Sequence, residues 1–457
     1  MILRPISKKK VLILLGDVVI LITSMIVAFS MRTGYSVNIL SHLTGASTVT
    51  ILICLLVFYI FDLYNLEYRF LTLGYGAKVT FAVLTGSALT AMFFYLLPHW
   101  RFSRDIFLLQ TVFIVILAYC WRIFIEIFVV PIKKTSSIVI IGTGRSGQAM
   151  CEEIENDLEY RVVGFLDDNP ELRGTCNKQY PVLGNCSYLT GMATRKEVDV
   201  AIVSTEYERS AELLKNVVGV RMRGVSIYDI PTFYEKLTKK VPVEHLKDAW
   251  FVYTPLSGVG SNMYTQKLER FLDIVISIFG IILAFLIGLI TVIVIKLDSK
   301  GPVFYIQRRV GKNGKCFDLI KFRSMKNNAE INGATWTLEN DIRITRVGKT
   351  IRRLRLDEIP QMWNVLRGDI SFIGPRPERP EFVKLLKEDI PYYSLRHSVK
   401  PGITGWAQVN YGYGSAKDDA LEKLKYDFYY IKNKSLLLDF HIMLRTIKVV
   451  LFGSGAR

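Results

Sequence analysis

The chain has 457 residues, half of them hydrophobic, with a formal charge of +17; its mean hydropathy of +0.27 is high for a water-soluble protein. Its six cysteines form no Cys-x-x-Cys pair and its five histidines are scattered, which argues against a disulfide scaffold or a zinc site. The charge is concentrated: from Lys296 onward 30 Lys+Arg stand against 17 Asp+Glu, a surplus that behind membrane segments suits a cytoplasmic face, anionic lipid or phosphate-rich substrates and not nucleic acid.

Four apolar stretches come first, at 11–31, 49–61, 79–97 and 106–130. Each is read as a membrane helix, the short second one beginning earlier. Lys8, Lys9 and Lys10 before the first and Lys133 and Lys134 after the last put both flanks in the cytoplasm. The run after Lys10 lacks a small-residue cleavage site, so no signal peptide is expected. Asp17 and Glu126 lie near helix ends, where snorkelling or a helix–helix contact would account for them.

From Thr135 the pattern becomes that of a soluble α/β domain. Residues 137–141 read as a buried strand, followed by Gly142-Thr-Gly144-Arg-Ser-Gly147 and a helical stretch to Leu158; further strands are expected at 162–166, 200–204 and 225–228. Strand, glycine turn and helix open a dinucleotide-binding fold, in which glycines let the backbone approach a pyrophosphate. Asp167 lies where a ribose-binding acid would stand. Two readings follow: a nucleotide held by Gly142, Gly144, Gly147 and Asp167, or a turn without ligand that packs helix on strand.

The block 274–295 has no charge in 22 residues and is long enough to cross a membrane. Crossing would place the basic residues after Lys296 outside, against the positive-inside tendency. The alternative is a re-entrant hairpin at about 272–296, with Ser277, Gly280 and Gly288 as break points.

After Ser299 the specific signals crowd together: Gly301-Pro302-Val303-Phe304-Tyr305-x-Gln307-Arg308, Lys321-Phe322-Arg323-Ser324-Met325, Leu356-Asp357-Glu358-Ile359-Pro360, Gly374-Pro375-Arg376-Pro377 and Lys400-Pro401-Gly402-Ile403-Thr404-Gly405-Trp406. Asp357 and Glu358 are adjacent carboxylates between a cationic stretch and a proline. One can attack phosphorus while the other holds magnesium, which commonly shares one or two carboxylates with substrate phosphates. Arg323, Arg376 and other basic residues are candidates to neutralise a transferring phosphoryl group.

These motifs resemble, from about Tyr264 to Arg457, the catalytic domain of the bacterial sugar transferases, the polyprenyl-phosphate hexose-1-phosphate transferases, and the whole chain is similar to their larger members. The tail motifs, ending in Gly453-x-Gly455-Ala456-Arg457, are similar to the exopolysaccharide-associated subgroup. The resemblance implies a four-helix transmembrane domain over 1–134, a Rossmann-like glycine-loop α/β domain over 135–250, and a mostly α, monotopic catalytic domain over 264–457 with a re-entrant membrane helix. It implies transfer of a sugar-1-phosphate from a UDP-sugar to polyprenyl (undecaprenyl) phosphate, initiating exopolysaccharide, capsule or O-antigen-type glycan synthesis. Asp357 would form a phosphoryl-aspartate and release UMP. Glu358 would bind Mg2+, and Arg323, Arg376, Lys321 and Arg308 would contact phosphate. The expected location is the bacterial cytoplasmic membrane, with the catalytic domain on the cytoplasmic face and a homodimer as the oligomer. Family members usually break the re-entrant helix at a proline; here none lies between Phe271 and Leu297, so a bend at a glycine is expected.

Two rivals stand beside this reading. A membrane-anchored nucleotide-sugar dehydratase or epimerase would need Tyr-x-x-x-Lys in the glycine-loop domain, and the two such patterns, Tyr413…Lys417 and Tyr430…Lys434, lie far downstream. A non-enzymatic assembly protein with a degenerate domain would not need the intact Asp357-Glu358 dyad.

Overall fold

The computed structural model describes residues 8–33, 45–64, 70, 72–96, 103–128, 135–157, 159–177, 179–204, 211–245, 250, 254–260, 263–326, 341–412 and 417–452. Lys133, Lys134, Tyr413 and the tail Gly453–Arg457 lie outside these residues. The chain divides into two compact units, Met1–Lys134 and Thr135–Arg457.

The first unit contains α1 (Lys8–Thr33), α2 (Gly45–Ile60), α3 (Leu73–Leu96) and α4 (Arg104–Phe128). Helices α1, α3 and α4 are long and apolar enough to cross a membrane, and α2 is a shorter apolar helix. Ile13, Leu21, Phe58, Val79 and Ile114 share its core, while Leu15, Val19, Phe81, Met92 and Leu108 point outward. Apolar residues on both the inner and the outer face are what lipid permits and water does not. Asp17 makes a helix–helix contact: its carboxylate receives both terminal nitrogens of Arg122, one at 2.8 Å, with both side chains fully buried.

The second unit opens with β1 (Ser136–Ile141), α5 (Arg145–Glu155), β2 (Tyr160–Leu166), β3 (Cys176–Asn177), β4 (Tyr180–Gly184), α6 (Tyr188–Thr194), β5 (Val200–Val203), α7 (Ala211–Met222), β6 (Ser226–Asp229) and α8 (Ile230–Thr238). The sheet order is β3-β4-β2-β1-β5-β6. The ladders from β4 to β6 are parallel and only β3 runs antiparallel. This is the doubly wound α/β arrangement, whose central strands are apolar because helices cover both faces; Ile138 and Ile140 face one core and Val139 and Ile141 the other.

The remainder contains α9 (Met263–Asp298), β7 (Phe304–Val310), β8 (Cys316–Phe322), α10 (Arg346–Arg353), α11 (Gln361–Arg367), β9 (Ser371–Ile373), α12 (Pro380–Asp389), β10 (Gly402–Thr404), α13 (Trp406–Asn410), α14 (Lys417–Asn433) and α15 (Leu436–Phe452). The α/β part and this part share a core, in which Val241 and Val243 join Trp406, Leu424 and Tyr429. Polar contacts reinforce it: Trp406 Nε1 donates to Lys239 O at 3.1 Å, and Glu235 accepts from Lys432 at 2.5 Å and Asn433 at 2.9 Å. Helix α15 places Leu438 and Ile442 in this core and leaves Leu437, Phe440 and Val450 exposed.

The hairpin expected at 272–296 is not formed. Helix α9 runs unbroken for 36 residues, because without proline every residue keeps the N–H that propagates a helix. Ser277 and Gly280 are contact points instead of break points. Buried Asp273, Ser277, Thr291 and Ile295 fall on one helical face with Gly280 and Gly288. A Cβ on Gly280 would lie 2.7 Å from Met362 Sδ, whereas one on Gly288 would sit 3.9 Å from Phe322. The opposite face, with Phe279, Ile282, Leu283, Phe285, Leu286 and Ile290, is exposed and apolar.

Candidate active site

The dyad sits in a tight turn between two helices. Arg355 adopts φ 56° and ψ 19°, a left-handed conformation unfavourable for a side-chain-bearing residue. It ends the α10 segment and starts the 3₁₀ turn Leu356–Glu358, after which Pro360 leads into α11. Such local cost concentrates at functional turns.

Two devices fix this turn against β8. Asn364 of α11 is fully buried; its Nδ2 donates to Asp318 O at 2.7 Å and its Oδ1 accepts from Ile320 N at 3.0 Å. Arg270 of α9 donates to the carbonyls of Val365 and Leu366 at the end of α11, where a cation favours the helix dipole.

Lys321, at the end of β8, faces the dyad. Burial and the nearby Arg376 cation press its ammonium down to about 8, against the pull of Glu358. Arg376 Nη2 donates to Glu358 Oε1 at 2.8 Å, and Arg355 Nη1 lies 3.7 Å from the same oxygen. Burial alone would raise Glu358, but Arg376, Lys321 and Arg355 outweigh it and hold the carboxyl at about 2. Asp357 moves the other way: burial and the adjacent Glu358 charge raise it above the ordinary aspartate range. Among the described residues, none hydrogen-bonds the Asp357 side chain. Two neighbouring carboxyls driven apart in acidity mark a divided role, one fixed anion and one reactive group.

The other residues singled out from the sequence are placed differently. Arg323 is buried and donates to Ser299 O at 2.7 Å, Ser299 Oγ at 2.9 Å and Lys300 O at 3.2 Å, which clamps the end of α9. Arg308 is exposed and pairs across the ladder with Asp318, whereas Lys321 pairs with Tyr305. Alternation therefore puts Arg308 and Lys321 on opposite faces of the β7–β8 ribbon. Arg309 shares the face of Lys321 and donates to Pro377 O at 2.9 Å. Arg309 is the cation that reading by motif alone passed over, and the period of two singles it out; Arg352 and Arg355 belong to the cationic stretch ahead of the dyad.

At the glycine loop, Gly142 has φ 98°, and a Cβ on Gly147 would lie 2.5 Å from Gly142 O. Gly144 precedes α5 in extended conformation. Asp167 Oδ2 accepts from the Thr143 amide at 3.0 Å and the Thr143 hydroxyl at 2.7 Å, and Oδ1 accepts from Asn169 N at 3.0 Å.

A family profile described as bacterial sugar transferase matches residues 264–453, and one described as CoA-binding domain matches residues 59–231. The chain is 36% identical over 399 residues to the UDP-N-acetylgalactosamine-undecaprenyl-phosphate N-acetylgalactosaminephosphotransferase of Aeromonas hydrophila, covering 85% of this chain and 84% of that one. It is 34% identical to the UDP-glucose:undecaprenyl-phosphate glucose-1-phosphate transferase of Escherichia coli (strain K12), over 68% of this chain and 66% of that one. With the undecaprenyl-phosphate galactose phosphotransferase of Salmonella typhimurium it shares 28% identity, over 84% and 82%.

Proposed function

Since the chain belongs to the bacterial sugar transferase family, we propose that it transfers a sugar-1-phosphate from a UDP-sugar to undecaprenyl phosphate, the step that initiates an exopolysaccharide, capsule or O-antigen-type glycan. The observation that carries this reading is the divided dyad, with Glu358 fixed as an anion on Arg376 and Asp357 left to react.

An Asp357 oxygen attacks the β-phosphorus of the UDP-sugar. The bond from that phosphorus to the bridging oxygen breaks, UMP leaves with the electron pair, and a sugar-phosphoryl-aspartate remains. A phosphate oxygen of undecaprenyl phosphate then attacks the same phosphorus, which frees the Asp357 carboxylate and forms the diphospho-sugar lipid. One phosphoanhydride is exchanged for another, so no further energy source is required. Lys321 and Arg376 lie where negative charge develops, and fixed charges of this kind need no reorganisation during the reaction.

Two adjacent carboxylates fit the oxygen donors that magnesium prefers. Among the described residues no cluster of three or more acidic, histidine or cysteine side chains forms a metal cage, so the remaining ligands would come from phosphate and water. Glu358 would hold the ion with Asp357 beside it; when bound, it supplies positive charge against the diphosphate.

The catalytic unit works at the cytoplasmic face in this reading. Both ends of α9 are tied to one body, Arg270 to α11 and Ser299 to Arg323, and the basic surplus after Lys296 opposes export. The outer face of α9 then lies in lipid.

The test is purified protein with magnesium, undecaprenyl phosphate and a panel of UDP-sugars, with UMP measured beside Asp357→Asn. UMP from one sugar, lost in the variant, supports the proposal; well-folded protein that releases none from any sugar refutes it.

A further inference from the structure

Arg376 sits on a loop that cannot be held in the ordinary way. The segment Pro375-Arg376-Pro377 has a proline on either side of the arginine, and proline offers no N–H. The loop must be fixed through its carbonyls, and four consecutive ones are each taken by a donor. Pro375 O accepts from Gly402 N at 3.0 Å and Glu378 O from Val310 N at 2.9 Å. Pro377 O accepts from Arg309 Nη1 at 2.9 Å, and Arg376 O from Arg396 Nη2 at 3.1 Å.

Arg396 is an unusual donor. It lies in the 3₁₀ segment Tyr393–Ser398 and is 6% exposed. Its Nη2 is 2.8 Å from Asp427 Oδ2 on α14, Asp427 being 1% exposed, and its Nη1 donates to the Tyr393 hydroxyl. Burying such a pair takes two ions out of water, and a backbone N–H would hold a carbonyl at lower cost. What the pair provides is a rigid, planar, doubly anchored donor at the main chain of the residue whose side chain grips Glu358.

We propose that Arg396 is a positioning residue for the transfer, holding the main-chain carbonyl of Arg376 so that its guanidinium stays on Glu358. This rests on the reading of the dyad given above. Asp427 offsets the charge of Arg396 locally, so its effect on the dyad runs through the placement of Arg376.

The experiment uses full-length protein carrying Arg396→Met or Arg396→Lys, alone and with Arg376→Met, assayed for UMP release from the UDP-sugar used by the parent. Arg396→Lys keeps the buried charge opposite Asp427, and with it the fold, but not the planar fork. The expected result for Arg396→Met is a loss of about 10- to 100-fold in kcat. In the Arg376→Met background the same change should cost almost nothing more, since the two act as one unit. An additive loss in that background overturns the proposal. A cryo-electron microscopy structure of Arg396→Lys reads the point without any activity: Arg376 displaced from Glu358 upholds it, and Arg376 still bonded there overturns it. If the parent itself releases no UMP, the functional reading fails and this structure alone decides the positioning.

Discussion

The glycine loop and the dyad turn are both sharp backbone features with a carboxylate close by, yet their polar groups are occupied in opposite ways. At the glycine loop the protein satisfies itself: Asp167 accepts from Thr143 and Asn169, Asp168 accepts from Cys186 N at 2.8 Å, and Ser146 and Ser204 bond each other at 2.7 Å. At the dyad turn Glu358 is bonded, Asp357 is raised in pKa, and three basic side chains converge without neutralising it. Groups satisfied internally hold a turn in shape, whereas a perturbed group outside such bonds is the kind placed for chemistry.

The sharpest test of that contrast is a matched pair of substitutions. Asp357→Asn should lower UMP release by at least about 10⁴-fold, since it removes the attacking group. Asp167→Asn, measured in the same assay, should leave it within about threefold; a loss comparable to Asp357→Asn would break the contrast. Next in size is Arg376→Ala, expected to reduce kcat by roughly 10²- to 10³-fold, the scale of losing a preorganised charge at a reacting phosphate.

The pH profile should be bell-shaped. Activity falls on the acid side as Asp357 protonates, above the usual aspartate range, and on the alkaline side as Lys321 loses its proton at about 8. Lys321→Arg should push the alkaline limb outward while the acid limb stays in place. A limb at about 8 that persists in this variant would assign it elsewhere.

The smallest effect concerns stability. Burial raises Asp439 to about 7, although Tyr430 Oη donates to it at 2.9 Å. The folded form thus holds a proton that the unfolded chain releases at lower pH, so stability falls as pH rises from about 4 towards 7. Asp439→Asn removes this slope. Thermal unfolding should show a gain of a few degrees at pH 8 and little change at pH 4; equal shifts at both would contradict the assignment.

Much of the site was legible because its chemistry is local. Adjacent Asp357 and Glu358 read directly, Arg376 was a candidate from the phosphate chemistry, and Lys321 entered with the motif that carries the family resemblance. Arg308 and Arg323 could not be sorted from Arg309 by charge alone, because only strand register and the end of α9 decide which guanidinium faces the dyad. The Lys400–Trp406 motif carried no assigned role in the sequence, and the structure gives part of it a steric one: a methyl on Gly374, Gly402 or Gly405 would strike the backbone of its neighbours in this group. That interlock, like the Arg396–Asp427 pair, depends on contacts between distant segments. The α/β order was legible from its apolar strands and glycine turn, whereas the continuity of α9 depended on the missing proline.

The buried pair in the first unit has a consequence for how the protein is made. Asp17 emerges from the ribosome 105 residues before Arg122, its partner. Until α4 arrives, α1 carries a carboxylate that hydrocarbon rejects. Helix α1 therefore gains its full stability in hydrocarbon only once α4 has supplied Arg122, which makes the pair a condition of the finished bundle.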